Sequence, residues 1–207
     1  GSPEQGYTNS ALSWRPGQDA PLRYDKQHLV PFGEFIPTGF RWFTELMQIP
    51  LGDFNRGAPV QPTLDWAGQR RAPNICYEDL FGEELARGFV APALAPTVLV
   101  NLSNIAWFGD TVAIAQHRQI SRLRALELQR PMLRATNTGA TLAIDHLGRV
   151  THELPRLTRA VLAVEVEGRE GLTPYARWAG RFGLWPLGLL GSIALALAWR
   201  RTGRSRP

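Results

Sequence analysis

Two chemically distinctive residues occur once each in this chain. Cys76 is its one cysteine, and Lys26 is its one lysine against 22 arginines. A thiolate is a strong nucleophile, but it needs a nearby cation or base to form at neutral pH. Arginine serves for surface charge and bidentate pairing, yet it holds its proton and is not a compact point charge. A lysine retained in so arginine-rich a chain is therefore a candidate for lysine chemistry, and a chance surface position is the other reading. A lone cysteine is equally at home as a small buried hydrophobe. Two carboxylates lie close in sequence to this pair: Glu34 follows Lys26 by eight residues, and Glu78 follows Cys76 by two. Either could orient the lysine or bind a proton.

The elements around these residues suit such a site. Residues 72–76 read as a short buried strand ending at Cys76, with a helix over 81–89 close behind. A cysteine leaving a strand into a turn and helix presents its sulfur beside free backbone N–H groups, the logic of a nucleophile elbow. Lys26 lies in YDKQHLVPFGEFIP, a strand running into a proline-punctuated loop. Further strands are expected over 7–14, 95–102, 132–136 and 161–167, with a turn at Arg15–Gln18. A hairpin is expected over 141–145 and 150–154 across His146-Leu147-Gly148. Residues 112–130 form the clearest amphipathic helix, with Ile120, Leu123, Leu126 and Leu128 as its apolar side and Pro131 as its stop. Residues 53–65 read as loop. Strands and helices intermixed in this way make an α/β domain of packed layers.

Two apolar stretches stand apart. Residues 38–49 form a short helix crowded with Phe40, Trp42, Phe43, Leu46, Met47 and Ile49. It is either a lid or lipid-contacting patch or ordinary core. Residues 182–199 run 18 positions without a charge, enough for one membrane-spanning helix, with Trp178, Trp185 and Trp199 near the ends. A buried core helix is the competing reading. Arg200, Arg201, Arg204 and Arg206 follow it. Without these four the chain carries 19 basic and 18 acidic residues. The net charge of +5 thus sits on a membrane-flanking tail rather than on a nucleic-acid-binding face. That asymmetry puts the C-terminus in the cytoplasm and the folded domain across the membrane, in the periplasm of a bacterium.

The motifs YDKQHLVPFGEFIP, NICYEDLFGEELAR, NLSNIAWFGD and HRQISRLRALELQRPMLRATNTG, in that order, resemble the nitrilase or carbon–nitrogen hydrolase superfamily from about residue 7 to residue 174. LTPYAR followed by a terminal apolar run is similar to its apolipoprotein N-acyltransferase branch. The resemblance implies a nitrilase-like αββα sandwich, truncated at its N-terminal side, plus one C-terminal transmembrane helix. The divisions are a partial catalytic domain at 1–176, and a span at about 182–199 with its tail at 177–207. It implies Cys76 as nucleophile, Lys26 as catalytic lysine, Glu34 and Glu78 as supporting acids, and Tyr77 as part of the pocket. The family's Ser-Asn-Asp-Ala-Trp-Phe block stands here as Ser103–Phe108, with Ile105 in place of the acid. Asn104 and Trp107 are then substrate-binding candidates, beside Trp42 and Phe43 of the apolar patch.

The implied activity is transfer of a fatty acyl group from a membrane phospholipid to the N-terminal amine of a diacylglyceryl-cysteine lipoprotein, in the bacterial inner membrane. No cofactor, metal or nucleic acid is implied. The family's general-base glutamate lies well upstream of the lysine, and Glu4 does not match its surroundings. The chain is therefore expected to be a C-terminal portion, catalytically poor alone. The alternatives are a nitrilase-type amidase acting on a small amide and a non-catalytic membrane-anchored domain. A papain-like pair of Cys76 with His117 stays open on sequence, and His28 reads as a structural residue of its loop.

Overall fold

The computed structural model describes residues 6–40, 42 and 54–203. Near its start β1 (Ser10–Ser13) and β2 (Leu22–Asp25) form an antiparallel pair. The larger sheet follows the order β3 (Leu64–Trp66), β4 (Gln69–Ile75), β5 (Val98–Ser103), β6 (Met132–Thr136), β7 (Leu142–Ile144) and β8 (Val150–Glu153). Its middle three strands are parallel and its flanking pairs antiparallel. The parallel crossovers carry the helical segments: a 3-10 turn Cys76–Leu80 and α1 (Gly82–Ala86) between β4 and β5, then α2 (Val112–Leu128) between β5 and β6. The chain ends in α3 (Pro174–Phe182) and α4 (Trp185–Gly203).

Alternation along the strands sorts the two faces of the sheet. Leu99, Met132, Leu142 and Ile144 pack with Phe89, Ile114, Ala125, Leu128, Ala176 and Ala179 from the helical side. The fit of α3 on α1 is close: a Cβ on Gly180 would strike the carbonyl oxygen of Ala86. On the other face Ile75 packs with Ala11 and Tyr24 of the small sheet. The layer order is thus helices, six-stranded sheet and two-stranded sheet. This is a nitrilase-like α/β arrangement in which the expected second helical layer is not seen among the described residues.

Local chemistry accounts for several elements. Thr111 caps α2, accepting from the Ala113 N–H, and Gln129 closes it in the left-handed conformation, two residues before Pro131. The β7–β8 turn is held by the Asp145 carboxylate, which accepts from Leu147 N–H and Arg149 N–H.

The structure corrects several expectations. The end of the stretch expected as loop, residues 64 and 65, belongs to β3. Its two-residue turn of Ala67 and Gly68 has φ of 48° and 74°, a primed hairpin turn written without the usual asparagine. Residues 161–167 alternate in exposure but join no ladder among the described residues. The buried side of α2 is Ile114, Ser121, Ala125 and Leu128, while Leu123 and Leu126 are exposed. Most of the helix expected at 38–49 lies outside the described residues. The expected boundary after residue 176 falls inside α3, whose Ala176 and Ala179 are both core.

The expected single span also differs. Gly183, at φ 57°, ends α3, and Pro186, which lacks an N–H and would clash with the Phe182 carbonyl, fits only near the start of a new helix. The uncharged part of α4, residues 185–199, is then about 22 Å long, short of a hydrocarbon core of about 30 Å. Among the described residues no single helix is long and apolar enough to cross a membrane. Helices α3 and α4, bent by 80° at their junction, meet that criterion only as a pair. Nor is α4 a buried core helix. Trp185, Leu187, Leu189, Leu190, Ile193, Leu195, Leu197 and Trp199 are all exposed.

Candidate active site

Cys76 stands where β4 turns into the 3-10 turn, and its φ is 52°. For a residue with a Cβ this left-handed conformation costs on the order of 1–3 kcal/mol and persists only where the surroundings over-determine it. Glu78 provides much of that determination. Its side chain is buried and takes four hydrogen bonds: from Ile75 N–H at 2.6 Å, Gln27 N–H at 2.7 Å, Tyr24 O–H at 2.9 Å and His28 N–H at 3.1 Å. Burial raises its carboxyl above the ordinary glutamate range, while the three backbone donors and Tyr24 pull it back down. On the other side Asn101 donates to the Cys76 carbonyl at 3.3 Å. The elbow is therefore pinned by its second following residue in front and by the neighbouring strand behind.

The same carboxylate ties Lys26 to the cysteine segment, because Gln27 and His28 directly follow the lysine. Lys26 is 1% exposed, and its Nζ lies 2.7 Å from Glu34 Oε2. Its main chain is fixed on both sides, donating to Asn9 and accepting from Gly57 N–H. Gly57 is required there, since a Cβ would strike the Asp25 carbonyl oxygen. Glu34 also accepts from Asn9 Nδ2 and Val30 N–H, each at 2.8 Å. Burial acts to raise its carboxyl, but the bonds from Lys26, Val30 and Asn9 outweigh it and hold the group below the usual range. Glu34 is thus held as a carboxylate, and its contact fixes the Lys26 Nζ in position.

The remaining expected residues divide. Tyr77 packs edge-on against His28 and Phe81, and His28 stacks on Phe81 while its Nδ1 lies 3.0 Å from Glu84 Oε2. His28 accordingly holds its loop. The Asn104 carbonyl oxygen lies 3.9 Å from Cys76 Sγ, and its side-chain oxygen accepts from Asn137 Nδ2 at 2.6 Å. Trp107 is 84% exposed on the turn beyond Asn104. Ile105, in place of the family's acid, is fully buried in the core. Trp42 is exposed, and Phe43 lies outside the described residues. Glu78 makes no bond to Lys26; the lysine is oriented by Glu34, and Glu78 staples backbone. Among the described residues no group of histidine, cysteine, aspartate and glutamate is arranged to hold a metal.

Sequence reading missed what lies behind the elbow. Asp79, fully buried, is 3.0 Å from Arg134 Nη1 and accepts from Ser121 Oγ at 2.6 Å. Arg134 also donates to Ser121 Oγ and to His117 Nδ1. Burial lowers the His117 imidazole, with Asp79 opposing and Arg134 assisting, so His117 is neutral and accepts through Nδ1. That bond engages it with arginine and argues against a papain-like pairing with Cys76.

Residues 3–175 match the carbon-nitrogen hydrolase family, and the chain belongs to it. The "carbon-nitrogen hydrolase from Helicobacter pylori G27" superposes with a TM-score of 0.54 at 16% identity, over 74% of this chain and 55% of that one, a likeness of fold. The sequence relatives are more specific. An apolipoprotein N-acyltransferase of Verminephrobacter eiseniae is 62% identical over 192 residues, 89% of this chain and 36% of that protein. One from Ralstonia nicotianae is 54% identical over 197 residues, 95% of this chain and 38% of that protein. The chain thus spans a little over a third of the length of these relatives.

Proposed function

We propose that this chain is the thiol-bearing part of an N-acyltransferase that moves a fatty acyl group from a phospholipid to the amine of a diacylglyceryl-cysteine lipoprotein. The observation that carries this reading is the Cys76 elbow, held left-handed by Glu78 and tied through residues 27 and 28 to the buried Lys26–Glu34 pair. The Cys76 thiolate attacks the ester carbonyl, and a C–S bond forms. Lys26 and the backbone N–H following Cys76, at the unpaired start of the 3-10 turn, steady the oxyanion. The C–O bond to the glycerol breaks, and the lysophospholipid leaves with a proton. The lipoprotein amine then attacks the thioester, loses a proton, and releases the thiolate. The proton acceptor in both halves is the glutamate that the family resemblance puts upstream of Lys26. A protein lacking that glutamate is expected to react slowly.

Asn104 and Trp107 border the acyl path beside Cys76, and Trp42 is a further acyl contact. The eight exposed apolar side chains of α4 support membrane anchoring by the bent α3–α4 pair. The arginine tail puts the C-terminus in the cytoplasm and the catalytic face in the periplasm. The test is to incubate the chain, alone and joined to the upstream portion of its Verminephrobacter eiseniae relative, with phospholipid in detergent. A hydroxylamine-labile acyl mass on the Cys76 peptide, absent in Cys76→Ala, is expected and is larger in the joined protein. No adduct in either form, with amide hydrolysis instead, overturns the acyltransferase reading in favour of an amidase; neither signal favours a non-catalytic anchor domain.

A further inference from the structure

A fully buried arginine paired with aspartate is costly to desolvate, and replacing such a pair by apolar residues of similar volume is often neutral or stabilising. The Asp79–Arg134 pair is not needed merely to fill space, so its location carries the meaning. Three facing residues run straight across the sheet by register: Asn74 opposite Asn101, and Asn101 opposite Arg134. Asn101 Nδ2 bridges Asn74 Oδ1 at 2.6 Å and the Cys76 carbonyl at 3.3 Å. Asp79 closes the circuit from the other end, because it lies three residues beyond Cys76 in the same 3-10 turn. The arginine is thus tied to the cysteine's turn through Asp79, and by strand register it stands beside Asn101, which holds the Cys76 carbonyl.

Its own surroundings hold it rigidly. Nη1 meets Asp79 Oδ2 and Ser121 Oγ, and Nη2 meets His117 Nδ1 at 2.9 Å. Four polar atoms of these residues remain without a hydrogen bond: Arg134 Nε, Asp79 Oδ1, Asn101 Oδ1 and Asn74 Nδ2. The titratable and charged groups that act on Asp79 are His117, Arg134 and Arg124, and those that act on Arg134 are Asp79 and Cys76. Charge on Cys76 is felt at Arg134, where it acts against the effect of burial.

We propose that Arg134 is a positioning residue for the reacting thiol, fixing the floor of the Cys76 elbow through Asp79 and supplying cationic field beneath the sulfur. Lys26 pairs with Glu34 and Arg134 with Asp79, so the elbow has two buried basic side chains near it, each with its own carboxylate. The inference rests on Cys76 being the reacting group. It does not depend on which acyl donor the protein uses.

Because Cys76 is the one cysteine, alkylation of the whole chain reports on it alone. Iodoacetamide forms a C–S bond with the thiolate and expels iodide, with no lipid required. The rate is measured against pH in detergent for the wild type, Arg134→Met, Asp79→Asn, Arg134→Lys and the neutral double variant Asp79→Asn/Arg134→Met, each checked by circular dichroism. Arg134→Met is expected to slow alkylation at neutral pH about tenfold, the equivalent of one pH unit in thiolate fraction, and to move the profile to higher pH. Asp79→Asn leaves the arginine unneutralised and is expected to move it the opposite way. Arg134→Lys is expected to stay within about twofold of wild type. Should Arg134→Met not fold, the double variant carries the same expected slowing. Unchanged profiles, or shifts of Arg134→Met and Asp79→Asn in the same direction, overturn the proposal. Failure of phospholipid acylation with these shifts intact overturns the proposed function alone.

Discussion

Around Cys76 polar groups converge inward: four donors meet on Glu78, three on Glu34, and Asp79 and Arg134 are shielded from solvent altogether. Along α4 the arrangement is reversed. The backbone satisfies itself, Ser192 Oγ returns its hydrogen bond to the Gly188 carbonyl at 2.9 Å, and the large apolar side chains face outward. The elbow region creates its own low-dielectric setting, in which each charge must be paired. Within the uncharged stretch of α4 the one hydroxyl, Ser192, is satisfied by the helix itself, which suits apolar surroundings outside the protein. A fault in the first region should therefore show as lost folding stability, and a fault in the second as lost lipid association.

The sharpest way to break that contrast is to unpair the core. Asp79→Ala leaves Arg134 buried without its partner and should cost about 3–5 kcal/mol in urea unfolding. Leu190→Ala on α4 should change the same measurement by less than about 0.5 kcal/mol. Equal losses would mean α4 packs on the body. Next, Leu190→Arg should weaken vesicle flotation by about 3 kcal/mol while leaving Cys76 alkylation unchanged. Within the elbow, Glu78→Gln should cost about 1–3 kcal/mol, because an amide offers fewer lone pairs to four donors and adds two unwanted hydrogens.

The smallest effect is one of pH. Burial depresses the folded imidazole of His117 below its unfolded value of about 6.5, so the unfolded chain binds the extra proton. Its contribution to stability is complete above that pH and is lost as pH falls toward the folded value, at no more than about 1.4 kcal/mol per pH unit. Glu78 and Asp79 are raised by burial and act in the opposite sense, losing stability as pH rises through their folded values. The test is thus the difference between wild type and His117→Gln in Tm across pH 7 to 5. His117→Gln should lie flatter on the acid side by the histidine's share. A constant difference across that range would refute the assignment of His117 as a buried neutral acceptor.

These outcomes bear on how far the sequence discloses its own site. Cys76 and Lys26 stood out because nothing else of their type occurs, and Glu34 and Glu78 followed from proximity. Strands β5 and β6 and the β7–β8 hairpin were legible from apolar runs and turn residues. Arg134 was hidden among 22 arginines, since composition cannot separate a buried cation from a solvated one. His117 and Ser121 were hidden for a related reason. The buried side of α2 carries polar residues that serve Asp79 and Arg134, whereas its exposed side carries Leu123 and Leu126, so the hydrophobic pattern pointed the wrong way. The break at Gly183 escaped notice because an apolar run reveals length but not continuity of the helix.

The central claim is that the acyl group passes through Cys76 to an amine, and a single-turnover chase tests it most directly. The chain carrying its upstream portion is loaded from phospholipid, freed of excess lipid, and mixed with a diacylglyceryl-cysteine peptide while both masses are followed. The account predicts that the acyl mass leaves the Cys76 peptide at the same rate as it arrives on the peptide amine, and persists when that amine is acetylated beforehand. An adduct that clears to free fatty acid at a rate indifferent to the peptide would contradict it and make the elbow that of a hydrolase.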